Sequence, residues 1–162
     1  MFLVDTSVWI DYLRKVRNEP VARFEEILEH GYPFGITGVI YQEVLQGADS
    51  EKSFARLEEY LSTQEFFEPE DPLATYTEAA RIYFRCRRAG ITIRSTVDCL
   101  IARIAIEHDL LLLHNDRDFE FIASVIPGLR LFSPYRYPGA VPSNGMVHEP
   151  VAVYDPDRGK DE

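Results

Sequence analysis

Two short, fully apolar runs punctuate the chain; the first ends at an acid and the second leads to one three residues on. Phe2, Leu3 and Val4 form the first, which fits a strand buried on both faces of a parallel sheet. Asp5 stops it, and Thr6 or Ser7 can cap the helix implied by Val8, Trp9, Tyr12 and Leu13. The second run, Leu110–Leu113, leads into His114-Asn-Asp-Arg-Asp-Phe119. A carboxylate at the carboxyl end of a central strand lies where open α/β sheets build their sites.

Between these runs the hydrophobic spacing is mostly helical. Asn18 and Glu19 precede Pro20, and Val21, Phe24, Ile27 and Leu28 then repeat until Gly31. Pro33–Ile36 predicts a short strand, and Thr37 caps the helix carrying Val39, Ile40, Val44 and Leu45, which Gly47 ends. Glu43 falls beside that apolar stripe. Asp49 or Ser50 opens a further helix with Phe54, Leu57, Tyr60 and Leu61, and Glu65–Glu68 predicts a strand closed by Pro69. A long helix follows from Pro72 to Gly90, with Ala79, Ile82 and Tyr83 inward. After a loop, Ser95 or Thr96 caps the most regular helix, whose apolar face is Val97, Leu100, Ile101, Ile104 and Ala105. Phe119–Val125 predicts a short helix and Leu129–Phe132 a last strand. Strands separated by helices mean an α/β fold with a central, mainly parallel sheet.

Length adds a single domain, because 162 residues fall within the usual span of roughly 100–200 per domain, and the change of character beyond Ser133 bounds it at residues 1–133. Residues 134–162, rich in proline and glycine with an acidic end, are expected to form an extended or disordered tail. No run approaches the roughly 18–20 apolar residues that cross a bilayer, and no secretory signal opens the chain. Cys86 and Cys99 have no histidine or cysteine at metal-ligand spacing and are expected to be buried, reduced thiols. A cytoplasmic protein without a membrane partner is expected.

The net charge of −10 opposes nonspecific adhesion to nucleic acid or to anionic membrane. The charge is uneven, however. Residues 19–78 hold 14 acidic and 3 basic side chains, whereas 79–118 hold 5 and 7. Arg81, Arg85, Arg87, Arg88 and Arg94 crowd the second stretch, either as solvated helix surface or as a local phosphate-contacting patch.

Four acids stand at similar punctuation points: Asp5 and Asp116 after apolar strands, Asp98 in the first turn of a helix, and Glu43 beside an apolar stripe. Each has an ordinary explanation. Asp98 favours the helix macrodipole, Asp116 or Asp118 can cap the following helix, and Glu43 can be a partly solvated surface acid. Gathered at one end of a sheet, they would raise one another's pKa unless a cation sat among them. Hard carboxylate oxygens suit Mg²⁺ or Mn²⁺, and no Cys/His set makes zinc the better match. One or two such ions polarise a phosphoryl group and activate water. His114 is expected to cap or pack.

Leu3-Val-Asp-Thr-Ser-Val8, Glu43 in Tyr41-Gln-Glu-Val-Leu45, Ser95-Thr-Val-Asp-Cys-Leu-Ile-Ala102 and Leu112-Leu-His-Asn-Asp-Arg-Asp-Phe119 together resemble the PIN-domain family. In length and order they look most like the VapC toxins of VapBC toxin–antitoxin pairs. The resemblance covers about residues 1–133 and implies an α/β/α sandwich. It also implies an endoribonuclease that uses Mg²⁺ or Mn²⁺ held by Asp5, Glu43, Asp98 and Asp116, with Asp5 central. Thr6 or Ser7 would support Asp5 by hydrogen bonding, and Asp118 would be an accessory acid. The family further implies a substrate such as tRNA or ribosomal RNA, a VapB-type antitoxin partner and a homodimer. Local attraction for RNA would come from Arg85, Arg87, Arg88, Arg94 and Arg117.

Rival chemistries fit less of the chain. A haloacid-dehalogenase-like phosphotransfer enzyme wants a second Asp two residues after the first, where Ser7 stands. A receiver domain wants an early acidic pair and a late lysine, yet the lysines are Lys15, Lys52 and Lys160. Both leave Glu43 and Asp98 without a role. A catalytically inactive PIN-like binding protein remains the other class, and divalent-metal titration separates it from the enzyme.

Overall fold

The computed structural model describes residues 1–132, so the expected tail, 134–162, lies outside the described residues. Five parallel strands form one sheet in the order β3-β2-β1-β4-β5. They are β1 (Phe2–Val4), β2 (Phe34–Ile36), β3 (Glu65–Phe66), β4 (Leu111–Leu113) and β5 (Arg130–Leu131). Seven helices among the described residues connect them: α1 (Thr6–Leu13), α2 (Glu19–Glu29), α3 (Gly38–Gln46), α4 (Glu51–Leu61), α5 (Pro72–Arg88), α6 (Thr96–Glu107) and α7 (Arg117–Val125).

The strand order places a switch point beside β1. From β1 the chain moves outward to β2 and β3, then crosses back to β4 and β5 on the other side. Right-handed crossovers running in opposite directions put α1–α4 on one face and α5–α7 on the other. Packing follows the same grouping, with α1 against α2 and α3, and α5 against α6 and α7. In register, Val4 lies opposite Leu113, and the Asp5 N–H donates to the Leu113 carbonyl at 2.9 Å. The residues following β1 and β4 therefore emerge side by side at the crevice where open α/β sheets bind ligands.

Burial explains why so short a sheet holds. Leu3, Val4, Ile36 and Leu112 are fully buried, as are Trp9, Phe24 and Phe119 from the helices. Trp9 and Phe24 meet edge to face with ring centres 4.7 Å apart, a favourable aromatic geometry. Gly35 lets β2 and β3 approach, since a β-carbon there would stand 2.4 Å from the Glu65 carbonyl oxygen and 2.6 Å from the Phe67 ring. Cys86 and Cys99 are buried free thiols, and burial pushes the Cys99 thiol up to about 12. No helix among the described residues is long and apolar enough to cross a membrane.

Several boundaries differ from the sequence-based expectation. Phe2 is only half-buried, so β1 is covered on both faces at Leu3 and Val4 alone. The first helix is capped by Asp5 itself, because Asp5 keeps an extended backbone and its carboxylate accepts the Ser7 N–H. Thr6 is already helical and Ser7 is the donor. Likewise Asp116 caps α7, which starts at Arg117, two residues before Phe119. The edge strands are shorter than the segments Glu65–Glu68 and Leu129–Phe132 that predict them: β3 spans two residues and β5 two. Beyond Phe66 the pairing continues through the bond from the Phe67 N–H to the Ile36 carbonyl.

Candidate active site

Asp5 is the anchor of the crevice. It is 4 % exposed, and its Oδ2 accepts both the Ser7 N–H at 2.9 Å and the Ser7 hydroxyl at 2.5 Å. Burial raises its pKa, and the charge of Glu43 adds to that, while the bonds from Ser7 and Thr6 pull the other way. Thr6 turns elsewhere. Its hydroxyl donates to Glu43 Oε2 at 2.6 Å, so the adjacent Thr6 and Ser7 hold two different acids. Glu43 reaches this position because Thr37 caps α3 immediately after β2.

Asp98 enters from α6, whose N-cap is Ser95. Burial comes first in raising its carboxyl to about 7, followed by the charges of Asp5, Asp116, Asp118 and Glu43. Asp98 therefore feels all four of the other acids. Among the described residues Asp98 receives no hydrogen bond and no ion pair.

Asp116 and Asp118 meet a cation. Asp116 Oδ1 accepts the Asp118 N–H at 3.0 Å and Arg94 Nη2 at 2.5 Å. The buried Asp118 accepts the Arg94 backbone N–H at 2.8 Å and Arg94 Nε at 3.2 Å, both on Oδ2. His114 stays out of this set. Its Nδ1 accepts the Asp116 N–H at 3.3 Å, its ring packs on Phe119, and burial lowers its pKa, which favours the neutral ring.

A supporting network that the sequence did not single out lies behind Ser7. The Asn115 N–H donates to the Ser7 hydroxyl at 2.9 Å, and Asn115 Nδ2 donates to Asp11 Oδ2 at 2.8 Å. Asn18, the N-cap of α2, donates to the same Asp11 oxygen at 2.7 Å. The one signal was spacing, since Asp11 sits four residues after Ser7 on one helical face.

The arginines divide. Arg94 is the one the structure brings to the acids. Arg85, Arg87 and Arg88 line the exposed last turns of α5, with Arg88 over the Phe84 ring, and Arg117 is exposed at the start of α7. In donor chemistry the crevice suits a hard divalent cation: carboxylate oxygens in excess, and a half-buried Asp98 with no partner among the described residues. Among the described residues no three acids, histidines or cysteines close tightly on one point, and Asp5, Glu43, Asp116 and Asp118 each accept from a protein donor.

Residues 2–124 match the PIN domain. The chain belongs to the PIN-domain family. It is 34% identical over 126 residues to Ribonuclease VapC11 of Mycobacterium tuberculosis, covering 77% of this chain and 93% of that relative. The same values hold for VapC ribonuclease Mb1587 of Mycobacterium bovis. Among solved structures, FitAcB from Neisseria gonorrhoeae superposes with a TM-score of 0.58 at 24% identity, covering 85% of this chain and 100% of that one. VapBC2 from Rickettsia felis, bound to a DNA fragment from its promoter, gives 0.60 at 20% identity, covering 81% and 96%. At these identities the two structures speak for the PIN fold alone.

Proposed function

We propose that this chain, a VapC-type PIN-domain ribonuclease and the toxin member of a toxin–antitoxin pair, cleaves RNA internally at the acidic crevice beside β1 and β4. Asp5, Glu43, Asp98 and Asp116 would hold Mg²⁺ or Mn²⁺ there. When bound, such an ion lowers the pKa of water and offsets the negative charge that grows on the phosphate. The observation that carries this reading is the gathering of acids around Asp98 at the crevice: its carboxyl sits near 7 because it is half-buried and, after that, because Asp5, Asp116, Asp118 and Glu43 press on it.

The protein's own residues do the positioning. Ser7 fixes Asp5 Oδ2 with two donors, and Thr6 fixes Glu43 Oε2 with one. With its carboxyl near 7, Asp98 is about half protonated at neutral pH, and a bound cation would favour the ionised form. A water attacking the scissile phosphate in line forms the new P–O bond as the ester P–O bond breaks.

A net charge of −10 repels RNA, so local attraction must come from the cation and from Arg85, Arg87, Arg88 and Arg117. The substrate class would be structured RNA such as tRNA or ribosomal RNA. A VapB-type antitoxin partner is supported by the likeness to FitAcB and VapBC2, and a homodimer and a cytoplasmic location complete the proposal.

The test is to incubate the purified protein, free of antitoxin, with total cellular RNA, with Mg²⁺ or with a chelator, and to map product ends by sequencing. Discrete cuts that need the metal support the proposal and name the target. An RNA population unchanged with metal, alongside measured metal binding, would favour a PIN domain kept for binding alone.

A further inference from the structure

Arg94 read as a contact for RNA has a difficulty: its guanidinium is already committed. Nη2 donates to Asp116 Oδ1 at 2.5 Å, and Nε lies 3.2 Å and 3.3 Å from the two oxygens of Asp118. The Arg94 backbone N–H adds a third bond to Asp118, at 2.8 Å. We propose that Arg94 is a positioning residue, a fork anchored on Asp118 that fixes Asp116 for the cation, and that Asp118 is the anchor of this fork. The inference rests on the metal-dependent nuclease proposed above.

Burial decides between a fixed fork and a swinging arm. The Asp118 side chain is only 3% exposed, whereas that of Arg94 is 69% exposed. A buried carboxylate stripped of its countercharge is strongly unfavourable, because its lost hydration is not replaced. Arg94 leaving for a phosphate would strand Asp118 in that way. Both Asp118 oxygens face Arg94 donors, which also removes Asp118 from the group of free acid ligands.

Asp116 is used asymmetrically. Its Oδ1 takes Arg94 Nη2 and the Asp118 N–H together, while Oδ2 receives no protein donor among the described residues. The fork thus turns one oxygen of Asp116 toward the protein and leaves the other for the crevice. Arg94 also directly precedes Ser95, the N-cap of α6, with Asp98 three residues further on. One side chain therefore ties the loop that delivers Asp98 to the helix start that presents Asp116.

Arg94→Lys tests this while conserving charge, since one ammonium cannot reproduce a planar fork across two carboxylates. The readout is Mn²⁺ affinity measured by calorimetry without RNA, with circular dichroism to show that the fold is kept. A weakening of about tenfold relative to the wild type is expected, the usual scale for losing an outer partner of a metal ligand. Asp118→Asn, which keeps an acceptor for the Arg94 N–H, should weaken binding similarly, and the double variant should be no worse than either single one. Should Arg94→Lys not fold, Asp118→Asn alone carries the test. Mn²⁺ affinity unchanged or tightened in the folded variants would overturn the fork. A wild type that binds no Mn²⁺ would instead overturn the nuclease proposal and this inference with it.

Discussion

Thr6 and Glu43, 37 positions apart, are joined by a 2.6 Å hydrogen bond in which the Thr6 hydroxyl donates to Oε2. This bond crosses from α1 to α3, two helices that pack together at the carboxyl end of the sheet. A hydrogen bond to a charged group is worth about 1.5–3 kcal/mol. Thr6→Val keeps the shape and loses the donor, so cleavage should fall by about tenfold or more on that scale, while Thr6→Ser stays near the wild type. Kinetics of the two variants on one RNA substrate check this. Loss in Thr6→Ser with activity kept in Thr6→Val would instead assign the effect to packing of the methyl group.

Asp11 supports the loop that carries Asp116 without belonging to the acid cluster. It accepts from Asn115 and Asn18, and Asn115 in turn donates to Ser7, the residue that holds Asp5. Asp11→Ala should reduce kcat by about 10–100-fold, as losses of outer supporting groups do, with a smaller change in KM. Asn115→Ala should do the same, and the double variant should add little. Additive losses would mean that the two side chains act independently.

Asp98 makes stability and function oppose each other. Its pKa is about 7 in the folded chain, against about 3.9 in an unfolded one. The folded state therefore holds the extra proton between these values, and stability falls as pH rises from 4 to 7. Above 7 the full cost is present. Asp98→Asn removes it, so the variant should melt higher than the wild type at pH 8 in chelator, with the gap closing near pH 4. The gain should be about 1 kcal/mol, reduced by the partial exposure of this carboxyl. Thermal melts at the two pH values check the sign. A variant less stable than the wild type at pH 8 would show that burial and the neighbouring acids do not disfavour the Asp98 carboxylate.

Much of this architecture was legible because a fully buried parallel strand is a short apolar run, and an acid that ends such a run lies at the sheet's carboxyl end. Phe2–Val4 followed by Asp5, and Leu111–Leu113 leading to Asp116, are cases of this. What stayed hidden depends on where the backbone turns. In Asp116-Arg117-Asp118 either acid could cap a helix, and only the extended conformation at Asp116 makes it the cap and buries Asp118 beneath Arg94. Arg94 read as part of a basic patch because sequence shows charge and not partners. Asp11 and Asn115 are 104 positions apart, so no local pattern could pair them.

Whether Asp5 anchors a catalytic cation is decided by the cleavage rate of a mapped RNA substrate, followed for the wild type and for Asp5→Asn as Mg²⁺ is raised from none. A saturable dependence on the metal in the wild type, abolished in a variant that circular dichroism shows to be folded, is the outcome expected if Asp5 anchors the cation. Cleavage that ignores the metal, or persists at full rate in folded Asp5→Asn, would contradict it.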